Sequence, residues 1–200
     1  MKLYVDILNT DKKYQVIYAD PPWRYADRGC NGACEKHYKT MTIKDLCDLP
    51  VNGIAADDCA LFMWSTYPML REAMILMGEW GFKYKTIAFQ WLKLNKSGKG
   101  FFFGLGRWTR GNTEPCLIGT KGNPYKFVQS KSVGQVIQHP LTRHSVKPPI
   151  ARDKIIELMG DIPRIELFAR ESAVGWDRWG NEAPISSKTQ TEYRSPTGRI

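Results

Sequence analysis

The 200-residue sequence predicts an α/β fold, a mostly parallel sheet with helices on both faces. Two observations lead there. Short β-branched and aromatic runs alternate with stretches whose apolar residues recur at helical spacing. Two of those runs also stop at a charged residue, Asp20 and Arg170, where the carboxyl rim of a parallel sheet would lie.

The elements follow in order. Tyr14 to Ala19 (YQVIYA) reads as a buried strand ending at Asp20, and residues 24–41 read as an aperiodic loop. Thr42 is placed to cap a short helix carrying Ile43, Leu46 and Leu49, with Asp45 at the favourable third position. Ala60 to Trp64 reads as a second buried strand. Residues 68–80 have helical spacing, with Leu70, Met74 and Met77 expected inward, Pro68 tolerated in the first turn and Gly81 as the stop. Strand-like runs follow at 86–92, 115–120 and 133–138, then a helix over 150–159 with Ile155, Ile156 and Met159 inward, then a strand over 164–169. Residues 1–183 are read as one domain, and the Ser/Thr/Lys/Arg-rich residues 184–200 as a disordered tail.

Composition narrows the class. The apolar fraction of 42% suits a globular domain, and no apolar run approaches the roughly 20 residues that span a bilayer. The first ten residues carry Asp6 and no long apolar stretch, unlike a secretory leader, so a cytoplasmic protein is expected. Five cysteines at irregular spacing argue for reduced thiols rather than a disulfide framework. Cys30, Cys34 and His37 form a C-x3-C-x2-H cluster, but no second ligand pair lies nearby in sequence, so no metal site is expected. The net charge of +9 favours a polyanionic partner.

Asp20-Pro21-Pro22-Trp23 is the motif with the most chemical content. A carboxylate and an adjacent backbone carbonyl can accept the two hydrogens of a planar amine, and ring-locked φ angles hold those acceptors in place. Trp23 is expected to offer a face for a flipped base. Taken alone, the four residues also admit a plainer reading, a strand followed by a proline stop, with Asp as a cap and Trp as packing. Residues 95–113 form a Gly-rich, basic and aromatic stretch too long for a plain turn, and it lacks the residue order of a phosphate-binding loop. Lys99, Arg107 and Arg110 there are candidate phosphate contacts, with Phe101 to Phe103 and Trp108 among them.

Several further blocks occur in order: VIYADPPW at 16–23, HYKTM at 37–41, LFMWST at 61–66, WGF at 80–82 and W-x-K at 91–93. EPCLIGTKGNP at 114–124, RHSVKP at 143–148, IELFAR at 165–170 and GWDRWGNE at 175–182 complete the series. Together they resemble the methyltransferase-A seventy family, which includes the catalytic subunit of the eukaryotic messenger-RNA adenosine methyltransferase and shorter bacterial and phage relatives. The resemblance runs from about Tyr14 to Glu182.

That resemblance implies a Rossmann-like methyltransferase fold in permuted motif order, with S-adenosylmethionine as methyl donor and the N6 amine of adenine as acceptor. It implies that Asp20, Pro21, Pro22 and Trp23 hold the amine. Tyr38, Glu114 and Ser145 fall at target-side positions. Asp20, Lys147, Phe168, Arg170, Asn181 and Glu182 fall around the cofactor, Lys147 on its carboxylate and Glu182 on its ribose. The eukaryotic enzyme has Gln where this chain has Glu182. DNA is the preferred substrate, with RNA the alternative. A non-catalytic nucleic-acid-binding subunit and an amide methyltransferase are readings of other classes. A monomer or homodimer in a bacterial or phage-infected cell is expected, with a partner subunit allowed.

Overall fold

The computed structural model describes residues 4–24, 40–106, 108–142 and 146–180. It contains a seven-stranded sheet of order β5-β3-β4-β2-β1-β6-β7. The strands are β1 (Tyr14–Ala19), β2 (Ala55–Trp64), β3 (Lys83–Leu94), β4 (Thr113–Lys121), β5 (Val136–Pro140), β6 (Arg164–Leu167) and β7 (Asp177–Trp179). Pairings β1·β2, β1·β6, β6·β7 and β3·β5 are parallel, while β4 runs antiparallel to β2 and β3. The expected α/β class holds, with β4 as the one reversed strand of this sheet. The permuted order is visible in the topology: β1 sits centrally, the chain moves first to β2 on one side, and β6 and β7 return on the other.

The helices are α1 (Ile43–Cys47), α2 (Val51–Ile54), α3 (Leu70–Glu79) and α4 (Ile150–Met159). Thr42 and Asp45 form the expected reciprocal cap on α1. The 68–80 helix begins as a 3-10 turn over Tyr67–Met69 and becomes α-helical at Leu70. Its buried residues are Ala73, Leu76 and Met77, whereas Met74 is exposed. Met77 is inward as expected and Leu70 packs against the same cluster, but Ala73 takes the inward position expected of Met74, which is apolar yet lies on the solvent side of the stripe. Gly81, at φ +83°, ends the turn as expected, with the Phe82 amide bonded to the Met77 carbonyl.

Strand alternation divides the core in two. Ile17, Ala19, Leu61, Met63, Ile165 and Leu167 point to one face, where α1 and α3 pack Leu46, Ala73, Leu76 and Met77 over them. Val16, Tyr18, Phe62, Trp64 and Cys116 point to the other, covered by Ala151, Ile155 and Met159 of α4. A register shift between Ile87 and Phe89 moves β3 from one parity to the other, so Phe89 and Trp91 also join the α4 face. No helix among the described residues is long and apolar enough to cross a membrane.

Candidate active site

The strands β1, β2, β3 and β6 end on one rim, and antiparallel β4 begins there. The chain leaves β1 toward β2 on one side and leaves the adjacent β6 toward β7 on the other, so the carboxyl ends of β1 and β6 form a topological switch point, where such sheets bind ligands. Asp20 is the first residue past that end. By parity it continues the Val16–Tyr18 row on the α4 face.

Four charged groups meet on this rim in alternating sign. Lys147 Nζ lies 2.8 Å from Asp20 Oδ1 and 3.5 Å from Glu114 Oε2. Lys93 donates to Glu114 Oε1 from the other side. The lysines also lie against rings, Lys147 5.9 Å from the Trp64 centroid and Lys93 5.1 Å from that of Trp91. The two indoles meet edge to face at 6.4 Å. The row is thus carried by Lys93 of β3 and Glu114 of β4, side by side because Trp91 pairs with Glu114 in register.

Burial sets the proton affinities. It pushes the Asp20 carboxyl above the usual carboxylate range, although Lys147 and Arg170 pull it back and Glu114 pushes the same way as burial. Burial would also raise Glu114, but Lys147 and Lys93 together outweigh it, so Glu114 stays below the ordinary range. Two carboxylates on one rim therefore differ, one held ionised between two ammonium groups and one closer to protonation.

Beneath the rim, the same face carries a buried polar layer. Trp64 Nε1 donates to the Tyr18 hydroxyl at 2.6 Å. Arg152 of α4 grips Glu166 of β6 through Nε at 2.7 Å and Nη2 at 3.0 Å, and reaches Glu171 through Nη1 at 3.2 Å. Cys116 is fully buried here, and burial pushes its thiol far above the ordinary cysteine value, with the Asp20 charge adding to the effect.

The tetrapeptide itself straddles the sheet. Asp20 serves the α4 face, but Trp23 is only 6% exposed and belongs to the opposite, apolar cluster. Its Nε1 donates to the Trp64 carbonyl at 3.3 Å. The expected stacking face on Trp23 is therefore not presented; the side chain plugs the far side of the sheet and fixes the turn in place. The Pro21 carbonyl accepts the Trp23 amide at 2.9 Å and the Pro22 carbonyl accepts the Met41 amide at 2.9 Å. A carbonyl oxygen has two lone pairs, so Pro21 retains one acceptor site.

At the neighbouring strand end, Phe168 holds φ +60°, an uncommon conformation for a residue with a side chain, and its ring meets Trp179 at 5.4 Å. Arg170 follows two residues later, close enough to act on Asp20 electrostatically. The structure thus brings together Asp20, Pro21, Glu114, Lys147 and Arg170. Lys99 and Arg110 sit apart, on the β3–β4 connection. Tyr38, Arg107, Ser145, Asn181 and Glu182 lie outside the described residues, as do Cys30, Cys34, His37 and the 184–200 tail. Sequence reading missed Lys93 as a site residue, although W-x-K alternation already places its side chain on the face of Trp91. Arg152 and Glu166 were also missed, being 14 residues apart and readable as ordinary surface charges until the fold pairs them.

Comparison with known proteins matches the MT-A70 family model over residues 14–182. A Type II methyltransferase, M.MunI, from Mycoplasma sp is 39% identical over 203 residues, which covers 90% of this chain and 84% of that protein. The human N(6)-adenine-specific methyltransferase METTL4 is 26% identical over 190 residues, 88% of this chain and 39% of its own length. The human N(6)-adenosine-methyltransferase catalytic subunit METTL3 is 30% identical over 173 residues, 85% of this chain and 28% of its own. The chain therefore spans less than half the length of either human protein. With the family model covering the whole rim from β1 past β7, this chain belongs to the MT-A70 family of adenine-N6 methyltransferases.

Proposed function

We propose that this protein transfers a methyl group from S-adenosylmethionine to the N6 amine of adenine in DNA, with Asp20 and the Pro21 carbonyl as the amine's acceptors. The observation that carries the reading is the Asp20 carboxylate at the switch point, held by Lys147 beside a stiff Pro-Pro turn. We prefer DNA because the Type II methyltransferase matches over 84% of its length and the N(6)-adenosine enzyme over 28%. The net charge of +9 suits either nucleic acid.

The donor set fits the cofactor. An anionic Asp20 and a cationic Lys147, 2.8 Å apart, match the ammonium and carboxylate of an α-amino acid head group. When bound, S-adenosylmethionine supplies an electrophilic methyl group on a sulfonium. The protein's own task is to prepare the nitrogen. The adenine lone pair is delocalised into the ring, and drawing both N–H bonds into fixed acceptors turns it out of that plane. Asp20 accepts one hydrogen and Pro21 the other. After transfer the nitrogen bears one proton too many, and Asp20, whose proton affinity burial has raised, is placed to take it. Glu114, kept ionised by its two lysines, lines the base side of the rim. Phe168, Arg170, Asn181 and Glu182 complete the cofactor side, and Tyr38 and Ser145 the target side. Lys99, Arg107 and Arg110 contact phosphates, which position the duplex without reading it.

The test is to incubate purified protein with methyl-labelled S-adenosylmethionine and either genomic DNA or total RNA, then hydrolyse and separate the nucleosides. Label in N6-methyladenine from DNA is expected, and sequencing then maps the modified sites. Label confined to RNA would move the substrate to the alternative, and no label with either would leave a binding subunit.

A further inference from the structure

We propose that residues 101–106 and 108–110 form an apolar wedge that enters double-stranded DNA and fills the gap left when the target adenine is turned out. The proposal rests on the methyl-transfer reading above and extends it to the form of the substrate. The connection between β3 and β4 is a finger rooted in the catalytic rim. Its base is tied by the Phe102 amide to the Lys93 carbonyl at 2.8 Å and the Lys93 amide to the Asn112 carbonyl at 2.8 Å. Lys93 and Glu114, the two residues at its feet, are members of the charged row described above.

The two limbs of the finger lie against each other with no room for side chains between them. A Cβ on Gly104 would fall 1.9 Å from the Gly111 carbonyl oxygen, and one on Gly106 would fall 2.0 Å from that of Thr109. The finger is therefore narrow, a backbone pair held close by glycine. What it displays is apolar: Trp108 is 98% exposed, Phe103 78% and Leu105 76%. Three large apolar side chains this exposed within one short connection mark a surface that meets an apolar occupant. Arg110 lies 5.6 Å from the Phe103 ring, and Lys96 and Lys99 flank the same connection, so the occupant is also bordered by negative charge.

A base step of duplex DNA has both properties, an apolar stack edged by phosphates. Proteins that unstack base steps insert Phe, Leu and similar residues as wedges. An adenine paired within a duplex cannot deliver its amine to a rim recessed beside Asp20 without leaving the stack. A platform for single strands would instead present a groove with rings in succession along it. Leu105 adds bulk without a π-face, which suits a wedge better than a platform.

The experiment uses three oligonucleotides carrying one adenine mapped in genomic DNA: a matched duplex, a duplex with an abasic site opposite that adenine, and the single strand. With Trp108→Ala, and separately with Phe103→Ala combined with Leu105→Ala, kcat/KM on the matched duplex should fall about 10- to 100-fold relative to the abasic duplex, given the cost of unstacking a paired base. Trp108→Phe should restore most of that ratio. Equal loss on all three substrates, or no loss on any, overturns the wedge. So does a change in sedimentation showing that the finger joins protein chains. Base opening is also read without chemistry. 2-Aminopurine in place of the target adenine should brighten on binding wild-type protein and brighten less with Trp108→Ala; equal brightening overturns the wedge. If wild type methylates no substrate while the 2-aminopurine response holds, the methyl-transfer reading fails and the wedge stands.

Discussion

The two faces of the sheet use the same strands for different purposes. Toward α1 and α3 the side chains are Ile17, Ala19, Leu61, Met63, Ile165 and Leu167, and the layer stays apolar up to the rim, where Trp23 closes it. Toward α4 the intervening residues are Tyr18, Trp64, Cys116 and Glu166, and the layer becomes charged as it approaches Asp20, Glu114 and Lys147. Period-two alternation makes this separation possible, since neighbouring residues on a strand face opposite ways. One face supplies apolar burial, and that lets the other carry buried polar groups, which contribute little net stability.

The largest effect should come from the rim of the charged face. Asp20→Asn keeps the shape but removes the anionic acceptor, and methyl transfer should fall about 10³-fold, as for loss of one preorganised group that stabilises developing charge. Melting should stay within a few degrees of wild type, because the apolar face is untouched. Turnover near the wild-type rate would remove Asp20 from the mechanism.

The apolar face should respond in the opposite sense. Leu61 is fully buried between β1 and β4, and Leu61→Ala should cost about 3 kcal/mol in urea unfolding. The kcat of the folded protein should change little. A comparable loss in kcat would mean that the two faces are not separable.

How much of this was legible in the sequence depends on the kind of interaction. β1 and α4 were read to the residue, and the α1 cap to its reciprocal bonds, because each is encoded by neighbours in the chain. β2 begins at Ala55 rather than Ala60, since Asp57 and Asp58 obscured its first half. β5 and β7 were misplaced or missed, being short edge strands whose position depends on pairing with β3 and β6. The reversal of β4 left no local trace. In the site, Asp20 is legible from the chemistry of its own tetrapeptide and Glu114 and Lys147 through matched blocks, while the stacking role expected of Trp23 fails because the turn after Pro22 carries the side chain to the other face. Lys93, Arg152 and Glu166 act only through partners far along the chain.

The polar layer on the charged face gives the next, smaller effect. Arg152→Met leaves Glu166 buried without its bidentate partner and should cost about 2 kcal/mol, below the usual range for a broken buried pair because solvent still reaches both groups. Adding Glu166→Leu should recover most of the loss, since an apolar pair of similar volume is often as stable as the ion pair it replaces. Failure to recover would show that Arg152 contributes through Glu171 or packing instead.

The smallest effect is a displaced pH profile, and it separates the faces most sharply. Burial raises the Asp20 pKa and Lys147 lowers it, so the two causes oppose each other at one carboxyl. Asp20 must be ionised to accept the amine, and methyl transfer should fall as pH drops through its raised pKa. Lys147→Met removes the lowering cause and leaves burial, so the acid limb of kcat, measured at saturating cofactor, should move to higher pH. The stability sign is the reverse for Glu114. Its folded pKa lies below the ordinary glutamate value, so its contribution is present above that value and lost on acidification. Lys147→Met should shrink that contribution, though Lys93 still holds Glu114 ionised. Leu61→Ala, on the apolar face, should leave the acid limb where it is. An acid limb that stays put or moves down in Lys147→Met would mean that Asp20 is not the titrating group.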